Sequence, residues 1–126
     1  MKQFKARTGR YGKRHTPGVM NATEARYAAE LAHWRDIGTL EWFAFEAMSF
    51  KLAGEVATNT AWYTPDFAVL HTDGTLELID VKGAGPINDA ALLKLKVAAD
   101  QFPFYLWTMM RARTKKLGGG WDRREF

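Results

Sequence analysis

Two aspartates and a lysine stand on a stretch that reads as a single hairpin. Between Tyr63 and Lys82, Pro65-Asp66 falls on the first arm and Asp80-Val81-Lys82 on the second, with Asp73-Gly74 between them. Directly opposed residues of an antiparallel pair share one face of the sheet, so register decides whether these side chains meet. A two-residue turn at Asp73-Gly74 would pair Leu70 with Glu77 and set Asp66 opposite Val81, on the wrong face. A three-residue loop, Thr72-Asp73-Gly74 with the glycine left-handed, pairs Leu70 with Leu76, Ala68 with Leu78 and Asp66 with Asp80. That register matches apolar residues and gathers the acids. Lys82 follows Asp80 by two positions, so the strand period points both side chains the same way. Neighbouring carboxylates repel unless a proton or a cation lies between them, and an all-oxygen donor set suits a hard divalent ion, Mg2+ or Mn2+.

Other elements must hold this hairpin in place. Asn21-Ala-Thr-Glu24 carries a capping signal, and Tyr27, Ala28, Leu31 and Trp34 follow at helical spacing, so a first helix is expected from Asn21 to near Gly38. Glu24 lies on the inward stripe and also fits the acidic half of a capping box. Leu40 to Ala53 reads as one strand, with a bend allowed, turning at Gly54 into a second strand from about Ala61. Glu46 on that first strand can approach the acids, although an acid on the solvent face is the more usual case. Gly83-Ala-Gly85-Pro86 ends the hairpin, and Asn88 or Asp89 can cap a second helix to about Phe102 with Leu92, Leu95, Ala99 and Phe102 inward. The apolar run from Pro103 to Met110 is expected to be a strand buried on both faces.

Charge is distributed unevenly along the 126 residues. Residues 1–20 carry six Lys or Arg and no acid, residues 111–126 carry six against two acids, and the body between them carries six against twelve. Basic ends on an acidic body suit a polyanionic partner. Lys5, Arg7, Arg10, Lys13 and Arg14, interleaved with glycines and aromatics, read as a flexible phosphate-contacting arm or a solubilising tail, and the second cluster of Arg111, Arg113, Lys115 and Lys116 favours the former. Gly118-Gly-Gly120 reads as a hinge to a short tail in which Trp121 and Phe126 are free to stack on a base or to pack on a second subunit. The expected divisions are an arm over 1–20, one domain over 21–113 and a tail over 114–126.

Composition narrows the classes. With 47% hydrophobic residues, 13% aromatic residues and no cysteine, the chain is expected to fold around one core without disulfides or thiolate metal sites. No apolar run has the length of a membrane span and no secretory signal is evident, so a cytoplasmic location and no membrane partner are expected. His15, His33 and His71 lack metal-ligand spacing.

Pro65-Asp66 on one strand and Asp80-Val81-Lys82 on the next resemble the PD-(D/E)xK nuclease superfamily, whose signature is Pro-Asp followed on the next strand by Asp or Glu, any residue, and Lys. The basic arm, the helix bearing Glu24, the hairpin, Gly83 and the following helix with Lys94 and Lys96 look like a group of small phage endonucleases likened to Holliday junction resolvases. The resemblance implies an α/β domain with a central mixed four-stranded sheet flanked by helices, of the restriction-endonuclease kind. It further implies Asp66, Asp80 and the Val81 carbonyl as metal ligands, with Glu24 as a further carboxylate from the first helix. Lys82 is then the residue that steers water or offsets transition-state charge, and Lys94 and Lys96 become phosphate contacts, although a solvated helix face is the plainer reading of those two. The function implied is Mg2+- or Mn2+-dependent hydrolysis of DNA phosphodiester bonds, with branched DNA as substrate, a homodimer as the acting unit and the host cytoplasm as the location if the protein is phage-encoded. A different class stays open from the residues themselves: a non-catalytic, basic nucleic-acid-binding accessory protein that keeps the hairpin only to fold. The residues do not distinguish DNA from RNA.

Overall fold

In the computed structural model the described residues are 16–56 and 58–126, so residues 1–15 of the arm expected over 1–20 lie outside them. The elements run α1 (Ala22–Asp36), β1 (Leu40–Phe45), β2 (Phe50–Ala53), β3 (Ala61–Tyr63), β4 (Phe67–His71), β5 (Leu76–Lys82), α2 (Asp89–Gln101), β6 (Leu106–Ala112), a 3-10 turn (Lys115–Leu117) and β7 (Trp121–Glu125). One sheet has the order β1-β4-β5-β6-β7, with β5 and β6 parallel and the other pairs antiparallel; β2 and β3 form a separate two-stranded sheet. The chain is therefore an α/β domain with a mixed central sheet flanked by two helices.

Local chemistry accounts for most of these boundaries. Asn21 and Glu24 close a reciprocal capping box, each side chain accepting the other's backbone N–H at 2.8 Å. Asn88 caps α2 by accepting the Ala90 N–H at 2.7 Å. The β4–β5 loop is Thr72-Asp73-Gly74: His71 N–H donates to the Thr75 carbonyl, Asp73 accepts the Thr75 N–H, and Gly74 has φ of 89°. Leu70 pairs with Leu76 and Ala68 with Leu78, the register expected from the three-residue loop. The Thr75 N–H also holds the Asp73 carboxyl below its ordinary pKa.

Burial sorts the sheet into two faces. Leu78 of β5 packs with Phe50, Tyr63, Ala68, Leu95, Ala98, Trp107 and Met109 on the face covered by α2 and the β2–β3 pair. Ile79 and Val81 point the other way, into the layer formed with Tyr27, Leu31, Leu40, Phe67 and Val69 beneath α1. Among the described residues, no helix is long and apolar enough to cross a membrane.

Several expectations are corrected. The central sheet has five strands, not four, because the segment expected to be a hinged tail folds back as β7 on β6. Gly118, Gly119 and Gly120 all have positive φ and build the reversal into β7. Trp121 packs edge-on against Tyr27 at 5.1 Å and donates its indole N–H to Glu30, so it is used within the chain; Phe126 packs into the α2-side core. Leu40 to Ala53 is two strands in two different sheets, broken after Glu46, whose φ of 48° turns the backbone away. Trp34 does not complete the inward stripe of α1; it is 44% exposed.

Candidate active site

The parallel pairing of β5 and β6 puts the ends of both strands, the N-terminus of α1 and the start of the loop to α2 at one end of the domain. Sites in sheets of this kind collect at such ends, where loops replace strand pairing. β5 delivers Asp80 and Lys82 there on the α2-side face, and Lys82 Nζ lies 3.4 Å from Asp80 Oδ2. Asp80 is 5% exposed, while the Lys82 side chain reaches solvent.

Asp66 sits just before β4. Continued by one residue, the β4–β5 register sets it opposite Asp80. Its Oδ2 accepts the Val81 N–H at 2.7 Å, and its own carbonyl accepts the Glu46 N–H at 2.8 Å, so backbone bonds from two sides fix the residue. The fully buried Pro65 precedes it and lacks the N–H that a break between sheets would leave unpaired. The Asp66 carboxyl lies within hydrogen-bonding reach of Asp80 and of Glu24. Burial, then the hydrogen bond and charge of Asp80, push its pKa up to about 9, against the opposing pull of the Val81 N–H. Of the two neighbouring carboxyls, Asp66 is therefore the one whose environment favours its protonated form.

Glu24 is buried at 4% exposure. Its Oε1 takes the Asn21 N–H of the capping box, and the same carboxyl borders Asp66. The capping role and the position beside the acids thus hold at once, without movement of the side chain. Among the described residues no three His, Cys, Asp or Glu side chains are already arranged to hold a metal ion. Two carboxylates completed by carbonyl and water oxygens are still a donor set that suits Mg2+, which commonly takes one or two carboxylates.

The remaining sequence-derived residues divide. Arg111, beside Lys82 in the β5–β6 register, donates to the Ala84 and Gly85 carbonyls and so braces the loop after β5. Arg113 pairs with Asp122 at 2.6 Å across the β6–β7 turn, an interaction that holds its guanidinium firmly protonated. Lys115 and Lys116 lie exposed on the 3-10 turn at the same end as the acids, and Lys94 and Lys96 are exposed on α2. Lys5, Arg7, Arg10, Lys13 and Arg14 are outside the described residues. Glu46 accepts the Gly18 N–H at 2.8 Å, which anchors the segment leading into α1 beside the site.

One residue escaped the sequence reading. Tyr63, the last residue of β3, is 7% exposed, and its hydroxyl makes no hydrogen bond of ordinary geometry while facing Asp80 and Asp66. Only its place three residues before Asp66 hinted at this, since an aromatic there reads as core.

Residues 21–117 match the family described as "Protein of unknown function (DUF1064)", and the chain belongs to that family. No curated protein and no solved structure matches the chain.

Proposed function

We propose that the protein is a divalent-metal-dependent endonuclease that hydrolyses DNA phosphodiester bonds. The observation that carries this reading is the meeting of Asp66, Asp80 and Lys82 at one end of the sheet, with both carboxyls largely out of water. A fold stabilises such a pair poorly for its own sake, because the same volume filled by apolar residues would avoid the desolvation cost. A strongly perturbed carboxyl grouped with other acids at strand ends beside a loop-lined surface favours a functional origin.

In this reading Asp66 and Asp80 hold Mg2+ or Mn2+, with the Val81 carbonyl and Glu24 completing the shell. The ion would acidify the attacking water and offset charge on the scissile phosphate. Lys82 contributes an ammonium that is already drawn toward Asp80 and partly open to solvent, so it can reach a phosphate oxygen and stabilise the charge that grows in the transition state. Lys115 and Lys116, exposed at the same end, add sequence-independent attraction for the backbone, and the basic N-terminal arm, which leads into α1 beside the site, extends it. Branched DNA as substrate, and a twofold dimer that cuts two strands symmetrically, come from the family resemblance and belong to the same proposal.

The test is a gel assay on linear, nicked, flapped and four-way DNA with Mg2+ and with chelator. Mg2+-dependent products, strongest on branched substrates, are the expected result. Tight DNA binding without any cleavage would instead identify a nucleic-acid-binding accessory protein.

A further inference from the structure

Tyr63 belongs to the small β2–β3 sheet, not to the sheet that carries the acids, so it approaches the cluster from the facing layer. Its ring is fixed by the core, lying 6.1 Å from the Trp107 ring, and Phe50 pairs with it across the two-stranded ladder. A tyrosine buried this deeply ordinarily satisfies its hydroxyl, and a purely apolar site would be served as well by phenylalanine. Here the hydroxyl is buried without a partner of ordinary geometry, and the charged groups that dominate its surroundings are Asp80 first and Asp66 second. A phenol carries its proton at neutral pH, so toward a carboxylate oxygen this hydroxyl acts as a donor.

At 7% exposure the hydroxyl is too deep to touch a phosphate of a bound duplex, which excludes a direct part in the reaction. Asp80 is within its reach, and Asp80 is also the residue that Lys82 engages through Oδ2. A donor reaching Asp80 from the facing layer, added to the ammonium on the strand itself, would leave that carboxylate few orientations.

We propose that Tyr63 is a positioning residue which donates its hydroxyl to Asp80 and aims that carboxylate at an incoming divalent cation. The inference rests on the reading of the acids as a cation site. Orienting partners of this kind typically change metal affinity by roughly 10- to 100-fold when removed, and Tyr63→Phe is expected to fall at the lower end because the ring packing is kept.

The experiment titrates Mn2+ alone into the full chain by calorimetry, without DNA, for wild type, Tyr63→Phe and Asp80→Asn, with circular dichroism to check folding. Wild type should take up Mn2+, Asp80→Asn should lose it, and Tyr63→Phe should bind about tenfold more weakly at an unchanged or higher melting temperature. Equal affinity in wild type and Tyr63→Phe would overturn the role of Tyr63 while leaving the cation site standing. No uptake by wild type would overturn the cation site and Tyr63 with it. A second readout needs no variant: hydroxyl-proton exchange at Tyr63 in the wild type should slow when Mg2+ is added, and unchanged exchange would also overturn the inference.

Discussion

Asp66 Oδ2 accepts the backbone N–H of Val81 at 2.7 Å, so the carboxylate of one strand end closes the ladder position of the next. That bond brings Asp66 to the Asp80 side of the hairpin and into a buried environment, where its carboxyl is raised to about pKa 9. An unfolded Asp titrates near 4, so the folded state binds the proton more tightly across the window between about 4 and 9. The resulting stability is complete below that window and is lost as pH rises through it. Melting temperature of the metal-free protein in chelator should therefore fall between pH 5 and pH 8.5. Asp66→Asn keeps an oxygen for the Val81 N–H and has no proton to lose, so its melting temperature should vary much less. Parallel curves for the two proteins would show that Asp66 titrates normally.

Lys82 separates catalysis from folding. Its side chain is about one-third exposed and its contact with Asp80 is 3.4 Å, a pair whose contribution to stability is on the order of 1 kcal/mol or less. Lys82→Ala should leave the melting temperature nearly unchanged and lower single-turnover DNA cleavage by roughly 10²–10³. A variant that unfolds, or that cuts at the wild-type rate, would assign the lysine a structural role or none.

Glu24 allows its two roles to be told apart. Glu24→Ala removes the capping acceptor and should cost about 1 kcal/mol in chemical denaturation. Glu24→Gln retains an oxygen for the Asn21 N–H and should be close to wild type in stability. If the carboxylate also serves the cation, Glu24→Gln will bind Mn2+ more weakly despite its intact fold; unchanged binding would leave Glu24 a cap alone.

The opposite end of β5 makes a purely structural prediction. Glu77 is buried, with Thr108 donating to it at 2.5 Å, Arg123 of β7 donating to the same oxygen at 2.5 Å and His71 at 2.8 Å from the other. Although partial burial disfavours its charge, Arg123 is held firmly protonated by Glu77. Glu77→Ala should destabilise the domain by about 2 kcal/mol, less than the roughly 3–5 kcal/mol of a fully buried pair because Arg123 can reach water. Loss of amide protection in β7, read by hydrogen exchange, should accompany it; a β7 that stays protected would show that Trp121 and Phe126 alone hold the strand.

The hairpin was legible because its apolar pairs admit one register: Leu70 and Leu76, with Ala68 and Leu78, cannot be matched through a two-residue turn. Both helix starts were legible through Asn21 and Asn88, whose side chains cap in the way their spacing implies. β7 was not, since Trp121-Asp-Arg-Arg-Glu125 has a single apolar residue and no alternation, and its strand state depends on Glu77 and Tyr27 far away in the chain. The break after Glu46 was hidden for a related reason: a left-handed backbone at a glutamate carries no compositional mark, and the apolar run continues through Met48 and Phe50. Tyr63 was hidden by ambiguity of type, because a buried tyrosine reads as core until the position of its hydroxyl is known.

The most direct measurement is cleavage and binding of a four-way DNA junction by wild type and Asp80→Asn in parallel, with Mg2+ and with chelator. Wild type should cut only with Mg2+, and Asp80→Asn should bind the junction at least as tightly, with one fewer negative charge at the site, yet leave it intact. Equal cutting by the two proteins, or cutting that survives the chelator, would contradict a cation held by Asp66 and Asp80.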